Sequence, residues 1–177
     1  MATRFRSFRR CKGDSFSIPG RPDSPDTARP AHHPMKRQLT ITTQPIDEAA
    51  LLARRSMSSG IGAAVYFLGV VRGIEDGARI SGLDYEAFQR MVEHQMSLVF
   101  DDMEKRWPVE SVRLVHRVGV VKAGDPSLWV EVTAPHRGEA FAACQWLIDE
   151  LKRVAPIWKK VVGVASATMR ARLWPPE

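Results

Sequence analysis

Cysteine is nearly absent from the 177 residues: Cys11 lies in a polar stretch and Cys144 inside a helical pattern, and there are no others. Two such cysteines make neither a disulfide framework nor a Cys/His metal array, and they fit a reducing, cytoplasmic setting. Long apolar runs are missing too. The longest, Ile61 to Val71, is strand-sized and far short of the roughly 18 to 20 residues that a bilayer crossing needs, so no membrane span is expected. There is also no phosphate-cradling Gly-x-x-x-x-Gly-Lys loop, no dinucleotide glycine fingerprint, no His-Glu-x-x-His and no nucleophile elbow.

Acidic residues are the minority, and a net charge of +6 raises the question of nucleic acid. The distribution of the charge argues against it. Residues 1–34 hold seven Lys/Arg (Arg4, Arg6, Arg9, Arg10, Lys12, Arg21, Arg29) against Asp14, Asp23 and Asp26, so +4 lies there and only +2 in residues 35–177. A basic tail of this kind is usually solvated or attracts polyanions without specificity, and no nucleic-acid partner is expected.

What is present is an ordinary globular composition, 44% hydrophobic and 26% charged, in a chain whose size allows one core. Residues 1–34, rich in Arg, Ser and Pro and without apolar periodicity, read as a disordered or non-native extension. Translation starting at Met35 is the favoured reading of that segment, with a transit peptide as the alternative. Residues 35–177 read as one α+β domain, an antiparallel sheet with two main helices.

Strands are expected at Gln38 to Thr43, Ile61 to Val71 and Ile80 to Tyr85, and a short helix capped by Asp47 at Ile46 to Arg55. Glu75-Asp76-Gly77 reads as an exposed turn or mobile loop. The spacing of Phe88, Met91, Val92, Met96, Val99 and Met103 predicts a long amphipathic helix over 86–106. Val112 to Val121 and Ser127 to Thr133 are expected as two strands of a meander. A second helix should run from Gly138 to Val154, with Phe141, Cys144, Leu147, Ile148 and Leu151 on its buried face. Pro156 must end it, and a weakly alternating strand should follow over Ile157 to Val164.

The chemistry that remains is cationic and sits at element ends. Arg72 closes a strand, His136-Arg137 stands where a strand passes into a helix, and Lys152 and Lys159 flank the break at Pro156. Taken singly each is more often a solvated cap; together they suit a small phosphorylated ligand. A partly buried lysine among other cations loses its proton more easily than arginine does, which suits a nucleophile or proton carrier. Cys144 lies mid-stripe and is expected to be buried and inert. His116 is expected to pair locally, His94 lies on a polar face, and His32 and His33 belong to the tail.

Five segments carry a resemblance in the same order: Phe67-Leu68-Gly69-Val70-Val71-Arg72, Leu83-Asp84-Tyr85-Glu86, His116-Arg117-Val118-Gly119, Ala134-Pro135-His136-Arg137 and Leu151-Lys152-Arg153-Val154-Ala155-Pro156-Ile157-Trp158-Lys159-Lys160. Over about residues 38–162 the chain resembles the molybdopterin synthase large-subunit family. That resemblance implies an α/β hammerhead-like fold and a homodimer of large subunits within a heterotetramer. Each large subunit would bind a small ubiquitin-like carrier ending in a Gly-Gly thiocarboxylate, whose sulfur passes to cyclic pyranopterin monophosphate to build the dithiolene. It implies Lys152 and Lys159 as catalytic lysines and Arg72, His136 and Arg137 as substrate-binding residues, with no metal or redox cofactor. The family usually has an acid after the lysine pair, where this chain has Val161. That departure leaves a second expectation, a non-catalytic module binding a ubiquitin-like tail or a phosphorylated ligand.

Overall fold

The computed structural model describes residues 34–163 and 170–172. The expected extension therefore lies outside the described residues except for Pro34, as does most of the stretch after Gly163. Met35 is buried, and its backbone N–H donates to Glu104 Oε1 at 2.8 Å, so the first residue of the apolar pattern is packed into the domain.

In chain order the elements are β1 (Lys36–Thr42), α1 (Glu48–Ala53), β2 (Ala63–Val70), β3 (Ile74–Glu75), β4 (Ala78–Arg79), β5 (Gly82–Ala87), α2 (Gln89–Arg106), β6 (Ser111–Arg117), β7 (Gly119–Lys122), β8 (Pro126–Ala134), α3 (Arg137–Val154), β9 (Ile157–Val162) and β10 (Arg170–Arg172). They form one sheet in the order β1-β6-β8-β2, a second in the order β10-β9-β5-β7, and the small hairpin β3-β4. Only the β1–β6 pairing is parallel; the other described pairs are antiparallel. The architecture is α+β, as expected, with two helices of 18 residues each.

The expected single strand over Val112 to Val121 is in fact two. Gly119 has φ of 78°, a left-handed conformation that breaks pleat and direction, so β6 joins the first sheet and β7 the second. At Gly82 a Cβ would come within 2.4 Å of the Val121 carbonyl oxygen, so the close approach of β5 to β7 depends on glycine there. The simple meander is thereby replaced by a ribbon that crosses between sheets.

Both helix stripes differ from what their spacing suggests. In α2 the buried residues are Val92, Met96, Val99, Phe100 and Met103, while Phe88 (56% exposed) and Met91 (47%) lie at the helix start, with Phe88 at the cap position. In α3 Phe141 is 63% exposed, because the buried stripe is Ala140, Ala143, Cys144, Leu147, Ile148 and Leu151. The small Ala140 and Ala143 let the helix lie close to the sheet and move the stripe away from Phe141.

Register also explains the other face of the first sheet. Ser111 lies opposite Thr133 and Arg113 opposite Glu131 across β6 and β8. Their side chains meet accordingly: Ser111 Oγ and Thr133 Oγ1 are 2.7 Å apart, and Arg113 makes a two-pronged bridge to Glu131 through Nε and Nη2, each at 2.8 Å. Arg113 Nη2 also donates to the Leu51 carbonyl at 2.9 Å, tying α1 to the sheet, and its guanidinium lies 5.0 Å from the centre of the Trp129 ring. Removing one partner of a buried pair leaves the other charge uncompensated. Glu131→Ala is expected to lower stability by about 3 kcal/mol, read as a lower urea midpoint; a loss below about 1 kcal/mol would give the pair only the weight of a surface bridge.

Candidate functional site

The break after α3 brings two lysines together. Lys152 sits in the last helical turn, and Ala155, the C-cap, is already extended at φ −73°, ψ 124°. A residue before proline is pushed out of the helical region, so the chain leaves the helix here and continues as β9. Alternation along β9 puts Ile157, Lys159 and Val161 on one face, and pairing with β5 sets Lys159 opposite Tyr85 and Val161 opposite Leu83. Lys152 and Lys159 line one pocket of about 250 Å³.

Arg72 reaches the same pocket from the end of β2. The β2–β8 ladder runs in register to Gly69 opposite Leu128 and then shifts at Gly69/Val70, so that Val70 pairs with Pro126. The Ser127 hydroxyl donates to the Gly69 carbonyl at 3.2 Å, and Val71 N–H to the Asp125 carbonyl at 3.0 Å, fixing the strand end. Such a bulge redirects the residues after it. Arg72, with a side chain 77% exposed, lies at the rim.

Glu75 joins these cations from the β3-β4 hairpin, accepting from Lys159 Nζ through Oε1 and from Arg72 Nη2 through Oε2 at 3.4 Å. Its side chain is only 11% exposed. The exposed turn expected at Glu75-Asp76-Gly77 is a hairpin with Asp76 at φ 49° and Gly77 at φ 78°, and its first residue points inward.

The deeper lining is polar but uncharged. Tyr85 is buried, its hydroxyl 3.5 Å from Ser127 Oγ, and burial raises its pKa, so the phenol keeps its proton. His116 packs edge-on against Tyr85 at 5.5 Å between ring centres. Its Nδ1–H donates to the Arg117 carbonyl at 2.9 Å, since a carbonyl can only accept. Burial lowers the His116 pKa to about 4, the backbone carbonyl opposing only in part, so the ring is neutral at pH 7. His116 thus does pair locally, and it lines the pocket as well.

Arg72, Lys152 and Lys159 therefore come together, but His136 and Arg137 do not join them within the chain. They stand at the start of α3 in a separate, open depression with Trp107 and Glu139. Arg137 and Lys152 are fifteen positions apart on α3, roughly 22 Å at the α-helical rise. Glu75, Tyr85 and Ser127 were not singled out from sequence. Alternation marked Tyr85 as a strand residue, but nothing local shows that Glu75 turns inward.

Cys144 is buried, and burial pushes its thiol pKa up to about 11, so it is a protonated core residue. His94 is exposed on α2, and His32 and His33 lie outside the described residues. Val161 packs against the hydrophobic core, an aliphatic position in the sheet. Among the described residues no helix is long and apolar enough to cross a membrane, and no group of three or more His, Cys, Asp or Glu side chains could hold a metal ion.

Comparison with known proteins gives one answer. The family described as MoaE protein matches residues 41–154. The molybdopterin synthase catalytic subunit of Pasteurella multocida is 36% identical over 123 residues, covering 70% of this chain and 82% of its own. That of Ralstonia nicotianae is 39% identical over 124 residues, covering 68% and 70%. Among solved structures, molybdopterin synthase from Staphylococcus aureus superimposes with a TM-score of 0.68 at 28% identity, covering 75% of this chain and 95% of its own. The complex of subunits 1 and 2 of molybdopterin-converting factor from Helicobacter pylori is alike in fold, with a TM-score of 0.63 at 23% identity, covering 76% and 90%.

The buried imidazole generates a pH dependence. Its folded-state pKa, about 4, lies below the ordinary 6.5, so the unfolded chain takes up the proton first. Stability should be unaffected by this group above pH 7 and fall as the pH drops from 6.5 towards 4, by about 3 kcal/mol in full. His116→Asn, which keeps an N–H donor without titrating, should flatten that part of the profile in denaturant titrations; an unchanged slope would exclude His116 as its source.

Proposed function

The chain belongs to the MoaE protein family, the catalytic subunits of molybdopterin synthase, and from that membership we propose that it moves sulfur from the C-terminal thiocarboxylate of a small ubiquitin-like carrier subunit to cyclic pyranopterin monophosphate. It is an enzyme of molybdenum cofactor biosynthesis. The observation that supports this reaction best is the meeting of Lys152, Lys159 and Arg72 in one pocket floored by uncharged groups. Substrate and donor are both anionic, and fixed cations make their approach tolerable without solvent reorganisation.

Lys152 and Lys159 act as the catalytic lysines, holding the anions and assisting proton transfer as sulfur attacks or the phosphate ring opens. Arg72 binds the substrate from the rim. His136 and Arg137 also bind substrate, and since α3 separates them from Lys152 within one chain, they do so from the paired large subunit. The assembly is a homodimer of large subunits with one carrier on each, a cytoplasmic heterotetramer that needs neither membrane nor nucleic acid. Two rounds of transfer complete the dithiolene. The working unit is residues 35–177. Val161 was the only support for a non-catalytic binding module, and as a core-packed residue it gives that alternative nothing.

Lys152→Ala is expected to abolish dithiolene formation and Lys159→Ala to impair it severely, both with unchanged folding. Cys144→Ala should retain turnover and cost about 1 kcal/mol of packing. The assay is pterin product from thiocarboxylated carrier and the cyclic substrate, and near-normal turnover by Lys152→Ala would remove that residue from the mechanism.

The partner can be tested separately. A Gly-Gly tail has no side chains to clash in a narrow pocket, and its anionic end is drawn to the lysines. Deleting the carrier's terminal Gly-Gly should abolish sulfur transfer while docking of its body survives, and binding by titration calorimetry should weaken with salt. Full transfer from free sulfide without a carrier would defeat the two-subunit reaction.

A further inference from the structure

The cation pocket already contains an anion. Glu75 bridges Lys159 and Arg72 with its two carboxylate oxygens, so one side chain compensates two of the three cations assigned to the reaction. Its carrier is slight: strands of two residues each, joined by a turn whose central residues both have positive φ. Ile74, beside it, is 57% exposed. No strand of either larger sheet pairs with this hairpin among the described residues, and the bridge to Arg72 and Lys159 ties Glu75 to the rest of the site.

We propose that Glu75 is a specificity-determining residue, an internal counter-anion that holds lone small anions out of the pocket and is displaced when the two anionic reactants enter together. The inference rests on the reading of Arg72, Lys152 and Lys159 as the reaction's cation pocket. A single phosphate or carboxylate arriving from solution exchanges one ion pair for another and gives up its hydration, so it gains little. Substrate and carrier tail bring two negative charges to the three cations, and contacts elsewhere on both ligands contribute to the exchange. The displaced carboxylate swings out on its hairpin into water, where a lone carboxylate is well solvated. The pocket thereby discriminates by charge and by simultaneous occupancy, in a cell rich in free phosphate and carboxylates.

Inorganic phosphate is the probe, titrated calorimetrically into the full chain and also tested as an inhibitor of dithiolene formation. Glu75→Gln keeps the size and removes the charge, and it should bind phosphate about tenfold more tightly than the unaltered chain and be inhibited at correspondingly lower concentration. Glu75→Asp, one methylene shorter, cannot span both cations and should fall between the two. If Glu75→Gln fails to fold, Glu75→Asp decides alone. Equal phosphate affinity in the unaltered chain and the variants, including no binding by any of them, would overturn the proposal, as would weaker binding by Glu75→Gln. Dithiolene formation by the unaltered chain tests the underlying reading independently, so an active enzyme with unchanged phosphate affinities would remove only the role of Glu75.

Discussion

The site depends on the steric conflict between a proline ring and a helical backbone. Pro156 pushes Ala155 into extended conformation, ends α3 just after Lys152 and starts a strand on which Lys159 is the third residue. Were the helix to continue, seven residues would carry Lys159 two turns onward, roughly 10 Å along the axis. The turn instead lets one residue from a helix end and one from a strand face the same cavity. The second half of the arrangement is register, because Lys159 lies opposite Tyr85 only if β9 pairs with β5 as it does, and a slip of one residue would send the lysine to the other face.

The electrostatics of the pocket follow from what is charged and what is not. The cations come from three different places, Arg72 from just past the end of β2, Lys152 from the last turn of α3 and Lys159 from within β9. Residues deeper in the sheets, Tyr85 and His116, are kept neutral by burial. The cavity therefore carries its charge at its walls, where Glu75 bridges Lys159 and Arg72, and is polar but uncharged at its floor, so no further positive charge lies beneath the cations. Cys144 belongs to neither set, being a protonated thiol within the core.

Much of this was legible in the sequence, and the failures have physical causes. Periodicity located both long helices and the main strands, and Pro156 located the helix end. The stripe on α3 was misplaced towards Phe141 because alanines at 140 and 143 carry little hydrophobic signal although they permit the closest packing. Val112 to Val121 read as one strand because Gly119 alone marks the change of sheet, and a glycine within an apolar run does not announce its φ. Motifs grouped His136 and Arg137 with Lys152, whereas the length of the intervening helix sets them apart in one chain. Glu75 was read as exposed because an Asp-Gly turn beside it signals solvent, and its partner Lys159 lies 84 residues further on.

The crossing ribbon at Gly119 has a consequence for quality control. His116 belongs to the first sheet and Tyr85 and Lys159 to the second, and the two sheets are joined in sequence by β6 and β7 with only Val118 between them. Neither sheet can fray far without pulling on the other, and the cavity at their seam has no version built from one sheet alone. A partly folded chain would therefore hold no partial copy of this cavity: the pocket exists when both sheets are assembled, and whatever reactivity it carries is withheld until then.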